Sequence, residues 1–390
     1  MGTDMSNKTI MVVGGGSGGH LTPLIAVATE LKKSNNIAIA YIGQKNENLQ
    51  EVLDNSAIDS VHEVSAGKFR RYYGESLVSH LLDVKTLILN VRDLFRMVRG
   101  VFGAYFLLGR ISPDSIFLKG GFVCVPVGIA ARLRRVPYIT HDSDSIPGLA
   151  NRITSAHAKF NTTAMDTSLY PYSTDKSVQV GIPIQAEFVK VTEVIKAAAR
   201  KSLSIPQKAK VILVTGGGLG AQKLNLAVIG ASEKLLSDEN VQIIHITGKK
   251  LFEEAREGYN SSLSTDKQGR VTVVGFTTSF YEYSAAADLI ICRAGATNIA
   301  EFAIQAKPCV VVPNPVLTGG QQTHNANALN SAKAAYILEE KDLERITSVT
   351  QELLGDKSLL ETYANNINKL AVNDAASKIA KILKDLATKE

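Results

Sequence analysis

The chain of 390 residues contains no tryptophan, and aromatic residues make up only 6% of it. Such a composition disfavours the stacking platforms on which single-stranded nucleic acids bind, so we expect no nucleic-acid partner. Only three cysteines are present, Cys124, Cys292 and Cys309, and no two of them form a CxxC pair. The sequence therefore indicates a reduced, intracellular protein with no disulfide framework and no metal site of the zinc type.

Long apolar runs are also missing. The two purest runs cover residues 101–108 and 122–131, well short of the ~20 residues that a membrane-spanning helix needs. The first eight residues are polar and lack the apolar core of a secretion signal. The net charge of +6 is mildly basic, and it fits an anionic small ligand or an anionic membrane surface on which the protein lies.

What the chain does have is a strand–glycine turn–helix pattern that occurs twice. Apolar runs at 9–13 and 211–215 each lead into a glycine cluster, at 14–19 and 216–220, and a helical pattern follows. This order is typical of βαβ units, so we predict an α/β fold with two doubly wound, Rossmann-like domains. We place the N-terminal domain at 1–180 and the C-terminal domain at 181–365, with a linker at 178–184. A last helix at 366–390 is expected to pack back on the N-terminal domain.

The glycine turns point to a phosphate-bearing ligand. Glycine lets the backbone approach a phosphate, and the following helix N-terminus supplies free N–H donors. A single turn of this kind is equally well explained by a tight turn with positive φ, but two in register favour a nucleotide or diphosphate. The strand at 37–42 continues into Gly43-Gln44-Lys45 without the acidic residue of a NAD site. No GxxxxGK[ST] loop is present, which excludes a P-loop ATPase.

Six sequence blocks follow one another in a specific order. They are GGGSGGHLTP at 14–23, GGFVCVPVGIAARL at 120–133, HDSDSIPGLANR at 141–152, GGGLGAQKLN at 216–225, CRAGATNIAEF at 292–302 and GGQQTHNANAL at 319–329. In this order and spacing they resemble the MurG family. The resemblance implies the GT-B fold, in which two Rossmann-like domains face each other across a cleft. It also implies an inverting transferase that moves N-acetylglucosamine from UDP-N-acetylglucosamine to the C4 hydroxyl of N-acetylmuramyl-pentapeptide in undecaprenyl-linked lipid I, giving lipid II for peptidoglycan.

By this resemblance the C-terminal domain binds the UDP-sugar, with Glu301 on the ribose, because a carboxylate accepts from two vicinal hydroxyls. The alternative for Glu301 is a capping box with Asn298. Arg293 follows a predicted strand, where its fixed charge can neutralise the diphosphate, and its alternative is a salt bridge. The other donor-binding candidates lie in the glycine loops, the uracil turn, the helix start after residue 294 and an amide-rich cluster. They are Ser17, Gly18, Gly19, Asn151, Gly217, Gly218, Asn225, Phe276, Thr277, Gly295, Ala296, Thr297, Gln321, Gln322 and Asn325.

The implied reaction inverts the anomeric carbon in one displacement, so it needs a base for the acceptor hydroxyl and no covalent nucleophile. We rank His20 first as that base, because a histidine pKa of ~6.5 suits proton transfer near neutrality. Asp142 and Asp144 follow, since a carboxylate beside another carboxylate can have a raised pKa. His20 has an alternative role in orienting its loop or binding acceptor phosphate. The acceptor-binding candidates are Gly15, Gly16, Gly120 and Gly121, and no metal or other cofactor is expected.

Between residues 77 and 110, apolar residues recur at helical spacing and basic residues flank them. This pattern is typical of a helix that lies on an anionic membrane, and the alternative is a core-facing helix with a solvated basic side. Because the implied acceptor is lipid-linked, we favour membrane contact through Phe95, Arg96, Arg99 and Phe102. We therefore expect a peripheral protein on the cytoplasmic face of the cell membrane.

Two other functions stay open. A UDP-sugar 2-epimerase can share the GT-B fold, although the apolar-basic segment argues against it. A non-catalytic UDP-sugar-binding membrane protein is motivated by departures from the family pattern at Asp142-Ser143-Asp144 and at Gly218-Leu219.

Overall fold

The structure is a computed structural model, and it describes residues 8–15, 18–45, 56–67, 84–316 and 320–388. The chain forms two compact units: unit 1 comprises residues 1–185 with 373–390, and unit 2 comprises residues 186–372. Each unit is built on one parallel β-sheet with helices packed on its faces.

Unit 1 contains, in its described part, a sheet of seven parallel strands. They are β1 (Lys8–Gly14), β2 (Ile37–Gln44), β3 (Ser60–Val64), β4 (Ser115–Gly120), β5 (Tyr138–Asp142), β6 (Phe160–Thr163) and β7 (Ser177–Gln179). Their spatial order is β3-β2-β1-β4-β5-β6-β7. The helices are α1 (Gly18–Lys32), α2 (Val84–Ile111), α3 (Cys124–Leu133) and α4 (Leu149–Thr154).

Unit 2 contains the parallel strands β8 (Lys210–Thr215), β9 (Val241–Ile246), β10 (Val271–Val274), β11 (Leu289–Cys292), β12 (Cys309–Val311) and β13 (Tyr336–Ile337). Their spatial order is β10-β9-β8-β11-β12-β13. The helices are α5 (Glu193–Ser202), α6 (Gln222–Leu235), α7 (Phe252–Ser262), α8 (Thr265–Gln268), α9 (Phe280–Ala286), α10 (Ala296–Gln305), α11 (Gln321–Ser331), α12 (Ile346–Gly355) and α13 (Lys357–Asn368).

The last helix, α14 (Ala375–Thr388), belongs to unit 1 and completes its core. Ile379 and Leu383 are fully buried in the same cluster as Ile10 of β1 and Leu24 of α1. The Ser115 hydroxyl also donates a hydrogen bond of 3.0 Å to the carbonyl oxygen of Leu383. The other face of β1, with Met11 and Val13, is buried in a separate cluster, so both faces are covered and its sequence is a continuous apolar run without alternation.

The predicted doubly wound α/β fold is confirmed in both units. The boundaries differ by a few residues, because the units change at 185/186 and 372/373, where the sequence pattern predicts 180 and 365. The predicted linker at 178–184 begins inside β7, so part of it is an edge strand of only three residues. Within the described ranges, no helix is long and apolar enough to cross a membrane.

Candidate functional site

Each sheet has one point where the strand order reverses, and ligands of open α/β sheets bind beyond the carboxyl ends of the strands at such points. In unit 1 the reversal lies between β1 and β4, and in unit 2 it lies between β8 and β11. The glycine clusters after β1, β4 and β8 stand at these positions, and so does the turn between β11 and α10. The described candidate residues of the two glycine loops are therefore at the correct edge of each sheet.

The second glycine loop, residues 216–220, packs directly against the turn that follows β9. Gly220 has a φ of +78°, and a Cβ there would lie 1.9 Å from the carbonyl oxygen of Thr247. Gly248 has a φ of +90°, and a Cβ there would lie 2.6 Å from the carbonyl oxygen of Leu219. Both positions require glycine for this close backbone contact, so packing explains part of the cluster without a ligand.

Gly217 lies beside the start of α10, and the next residue of the loop, Gly218, is exposed. A Cβ on Gly217 would lie 3.5 Å from Asn298 Oδ1, and one on Gly295 would lie 3.6 Å from the same oxygen. The Asn298 amide therefore stands between the loop and the N-terminus of α10. The free N–H groups of a helix N-terminus next to a glycine loop form a suitable site for a diphosphate.

The capping-box alternative for Glu301 is wrong. The N-cap of α10 is Gly295, so Ala296 and Thr297 form the first turn and Asn298 lies inside the helix. The Asn298 amide donates instead to Glu301 Oε2 at 3.4 Å. Glu301 is 4% exposed, and burial raises its pKa to about 8. The carboxyl is thus mostly uncharged at neutral pH, which is the state expected of an enclosed acid before a polar ligand reaches it.

Arg293 has a partner inside unit 2. Its guanidinium forms a buried ion pair of 2.6 Å with Glu340, and it donates to the carbonyl oxygens of Val312 and Pro313. Glu340 also binds Lys223 at 2.7 Å. Burial alone would raise the pKa of Glu340, but its bonds to Lys223 and Arg293 outweigh this effect and hold the pKa below its ordinary value. The salt-bridge alternative therefore describes the bonds that this arginine makes here, and its contact with the diphosphate stays a prediction.

Two predicted donor ligands, Asn225 and Asn325, turn their amides into the protein. Asn225 is 3% exposed, and its Nδ2 donates to the carbonyl oxygen of Thr247 at 3.1 Å. Asn325 is equally buried, and its Nδ2 donates to the carbonyl oxygen of Ala294 at 3.0 Å. Both amides thus hold the turns at the edge of the sheet, and contact of either residue with the donor stays a prediction.

The amide pair at the start of α11 is more accessible. Gln321 and Gln322 are both half-buried, and Gln322 Oε1 accepts a hydrogen bond of 2.9 Å from the backbone N–H of Asn314. Gln322 therefore also supports the loop before α11. Their contact with the sugar stays a prediction.

Phe276 and Thr277 follow β10, at the same edge of the sheet. The ammonium of Lys249 lies 4.8 Å from the centre of the Phe276 ring, and Thr277 Oγ1 accepts from the backbone N–H of Ser279 at 3.0 Å. These contacts hold the predicted uracil turn in place, and the reading of a base by its backbone stays a prediction.

The two glycine turns of unit 1 touch each other. Gly120 and Gly121 have φ values of +122° and +86°, and a Cβ on Gly121 would lie 2.6 Å from the carbonyl oxygen of Gly15. Gly16 and Ser17 lie outside the described residues. Gly18, Gly19 and His20 begin α1, and only their backbone is described. The predicted roles of these residues stay predictions.

Asp142 ends β5 with its carboxylate enclosed by donors. It is 4% exposed and accepts from the Tyr172 hydroxyl at 2.6 Å, from Asn151 Nδ2 at 2.9 Å and from the Gly148 N–H at 3.3 Å. The pKa of Asp142 is raised, because burial outweighs the lowering effect of these donors. The neighbouring Asp144 is therefore not the cause of the shift. Asn151 Nδ2 lies inside this bonding pattern and fastens α4 to β5, and contact of Asn151 with the donor stays a prediction.

A buried lysine that the sequence pattern does not single out lies near the two acids. Lys119, at the end of β4, is 3% exposed. Burial lowers its pKa, and the charges of Asp144 and Asp142 act in the opposite direction. The positive charge of Lys119 thus offsets the acids at this edge. Asp144 is half-buried, so it is the more accessible acid.

Helix α2 exposes an apolar surface to solvent. Phe95 is 72% and Phe102 62% exposed, and Arg99 is exposed between them. Asp93 on the opposite face is 1% exposed and pairs with Arg96 at 3.2 Å. The core-facing alternative therefore does not account for the two phenylalanines, although it does explain part of the basic side through Arg96.

Comparisons with known proteins give the family. The models of the glycosyltransferase family 28 N-terminal and C-terminal domains match residues 10–161 and 211–380. A UDP-N-acetylglucosamine--N-acetylmuramyl-(pentapeptide) pyrophosphoryl-undecaprenol N-acetylglucosamine transferase from Clostridium botulinum is 34% identical, over 93% of this chain and 95% of its own.

Solved structures agree with the predicted fold. The crystal structure of Acinetobacter baumannii MurG superposes with a TM-score of 0.67 and 23% identity, over 97% of this chain and 99% of its own. A UDP-GlcNAc 2-epimerase from Neisseria meningitidis, bound to UDP-GlcNAc, reaches 0.66 with 15% identity, over 97% of this chain and all of its own. The fold alone therefore does not separate the two activities, but the sequence does. With both halves matched by the family models and one relative similar over nearly its full length, the chain belongs to the MurG family of glycosyltransferase family 28, with the predicted GT-B fold.

Proposed function

We propose that the protein transfers N-acetylglucosamine from UDP-N-acetylglucosamine to the C4 hydroxyl of N-acetylmuramyl-pentapeptide in lipid I, forming lipid II. The observation that carries the proposal is the start of α10, where a helix N-terminus beside the second glycine loop precedes the enclosed carboxyl of Glu301. In a chain of this family, that arrangement suits a UDP diphosphate at the helix N-terminus and a ribose at Glu301. The donor is assigned to unit 2 and the acceptor to unit 1.

The reaction is a single displacement at the anomeric carbon. The acceptor C4 oxygen forms a bond to C1 while the bond from C1 to the diphosphate oxygen breaks, which turns an α-linked donor into a β-linked product. The proton of the acceptor hydroxyl goes to a base, and His20 is the first candidate for that base. The electron pair of the broken bond leaves with UDP. N–H groups of the second glycine loop and of α10 stabilise the negative charge on the leaving diphosphate, so the proposal needs no metal or other cofactor.

We further propose that α2 lies on the cytoplasmic face of the cell membrane, where the lipid-linked acceptor is held. The exposed Phe95, Phe102 and Phe106 supply the apolar contact, and Arg99 supplies positive charge toward anionic headgroups. Each basic residue near such a surface contributes about 1 kcal/mol. Arg96 contributes less to this attraction, because its charge is also paired with the buried Asp93.

One assay tests the proposed function against its alternatives. The protein is incubated with UDP-N-acetylglucosamine and a short-chain lipid I analogue, and the products are separated and identified. A β-linked disaccharide supports the proposal, and its formation should depend on Glu301 but not on Glu257, an exposed glutamate of α7. N-acetylmannosamine would instead support the 2-epimerase, and donor binding without turnover would support the non-catalytic protein.

A further inference from the structure

A chain of buried polar side chains runs beneath the second glycine loop. The Tyr259 hydroxyl of α7 lies 2.8 Å from His245 Nδ1 of β9, and His245 Nε2 lies 3.0 Å from Asn225 Oδ1 of α6. Asn225 Nδ2 donates to the carbonyl oxygen of Thr247 at 3.1 Å. None of the four residues is more than 3% exposed, so these bonds form out of contact with water.

The end of this chain lies against the loop proposed to hold the diphosphate. The carbonyl oxygen of Thr247, which Asn225 holds, is the atom 1.9 Å from the place where Gly220 would carry a Cβ. The next residue, Gly248, makes the same close contact with Leu219. The position of the loop backbone is therefore set by the direction in which the Thr247 carbonyl points.

The direction of each hydrogen bond in the chain is defined. Burial lowers the pKa of His245 to about 3, so the ring is neutral near pH 7 and carries one N–H. Asn225 Nδ2 donates to Thr247, which leaves Oδ1 facing the ring as an acceptor; the N–H must then be at Nε2. Nδ1 in turn accepts from the Tyr259 hydroxyl. Reversing the Asn225 amide would break its bonds to both Thr247 and His245.

We propose that His245, together with Asn225 and Tyr259, is a positioning residue for the donor diphosphate: the chain holds the Thr247 carbonyl, which holds the second glycine loop in the conformation that binds UDP. This inference rests on the proposed function, because it takes the loop to be the diphosphate site. It replaces direct ligand contact by Asn225 with action through the backbone.

The test compares binding of UDP with binding of uridine, since uridine lacks the diphosphate. Asn225→Asp places an acceptor against the Thr247 carbonyl, and Tyr259→Phe removes only the outer hydroxyl. We expect Asn225→Asp to weaken UDP binding about tenfold or more and Tyr259→Phe about threefold, in line with lost buried hydrogen bonds. Uridine affinity, measured by the same calorimetry, should stay within twofold, and the donor KM should rise while the acceptor KM does not. His157→Gln, an exposed histidine of unit 1, is the matched control.

A purely structural network would give a different result. It would lower the unfolding midpoint of both variants and leave the affinities for UDP and uridine unchanged, or reduce the two affinities equally. Either outcome overturns the inference. If Asn225→Asp fails to fold, Tyr259→Phe still tests the proposal through UDP affinity. The ring nitrogen shifts of His245 in the parent protein must also report an Nε2–H tautomer. If the parent binds UDP but forms no disaccharide, the proposed function fails while the positioning inference remains measurable.

Discussion

The enclosed carboxyl of Glu301 leads to a prediction about protons. With a pKa of about 8, roughly nine in ten Glu301 side chains are protonated at pH 7 in the protein without ligand. If the carboxylate accepts hydrogen bonds from both ribose hydroxyls, it must lose that proton when UDP binds. We therefore expect UDP binding at pH 7 to release close to one proton from this group, and the affinity to rise as the pH increases toward 8.

Calorimetry in buffers of different ionisation enthalpy measures this proton release directly. Glu301→Gln keeps the size of the side chain but has no proton to lose, so the difference between the parent and this variant isolates the contribution of Glu301 from that of UDP. Glu301→Ala should weaken UDP binding by about tenfold to a hundredfold, the equivalent of a charged hydrogen bond of ~1.5–3 kcal/mol. Glu257→Gln is the control. Equal proton release in parent and Glu301→Gln, or unchanged UDP affinity in Glu301→Ala with the fold intact, would refute the assignment.

The same carboxyl should affect stability with a defined sign. Folding raises the pKa of Glu301, so the free energy of unfolding is highest below pH 4.5, the ordinary pKa of this group. It is lowered as the pH rises through about 8, because the folded protein must then hold a buried charge. The full loss is about 5 kcal/mol, from 1.36 kcal/mol for each pKa unit. The free energy of unfolding of Glu301→Gln, from urea titrations, should therefore exceed that of the parent increasingly between pH 5 and pH 9. A constant difference would mean that the carboxyl is not buried.

Three further predictions concern the base, a buried ion pair and the membrane surface. His20→Ala should lower turnover by about 10²–10⁴-fold with donor affinity nearly unchanged, and turnover within a few-fold of the parent would exclude His20 as the base. Glu340→Gln leaves Arg293 buried without its carboxylate, so the free energy of unfolding at pH 7 should fall by about 3 kcal/mol in urea titrations. Because the Glu340 pKa is lowered on folding, this stability is present above pH 4.5, its ordinary pKa, and is lost as the pH falls through the lower folded value, so parent and variant should converge in acid. Phe95→Ser with Phe102→Ser should release the protein from anionic vesicles without changing its unfolding midpoint; equal sedimentation with vesicles would contradict membrane contact through α2.

The strands that carry the site could be predicted because they are buried on both faces. β1 and β8 are continuous apolar runs that end in glycine, and few other structures produce that pattern. β7 and β13 have only three and two residues, too few for any period to show. The sequence pattern also could not predict the end of unit 1 at residue 185, because no helix or strand ends there.

The sequence places the polar residues at the correct edge of each sheet, but it does not show which way their side chains turn. Arg293 and Asn225 both follow the motifs expected of donor ligands, yet each is bound by a partner far away in the chain, Glu340 and His245. Only tertiary structure brings such partners together. One signal was available: His245 interrupts the apolar run of Ile243, Ile244 and Ile246 in β9, and a buried polar group must find a hydrogen-bond partner.

The position of α14 has a consequence for how the protein is made. Unit 2 is one continuous stretch, whereas unit 1 needs α14 from the other end of the chain. On the ribosome, residues up to 185 emerge first, but one face of β1 stays without Ile379 and Leu383 until nearly the whole chain has been translated. Domains usually fold in the order of their synthesis. Here the later-made unit can close its core first, and one face of the unit 1 sheet stays uncovered until α14 has been made.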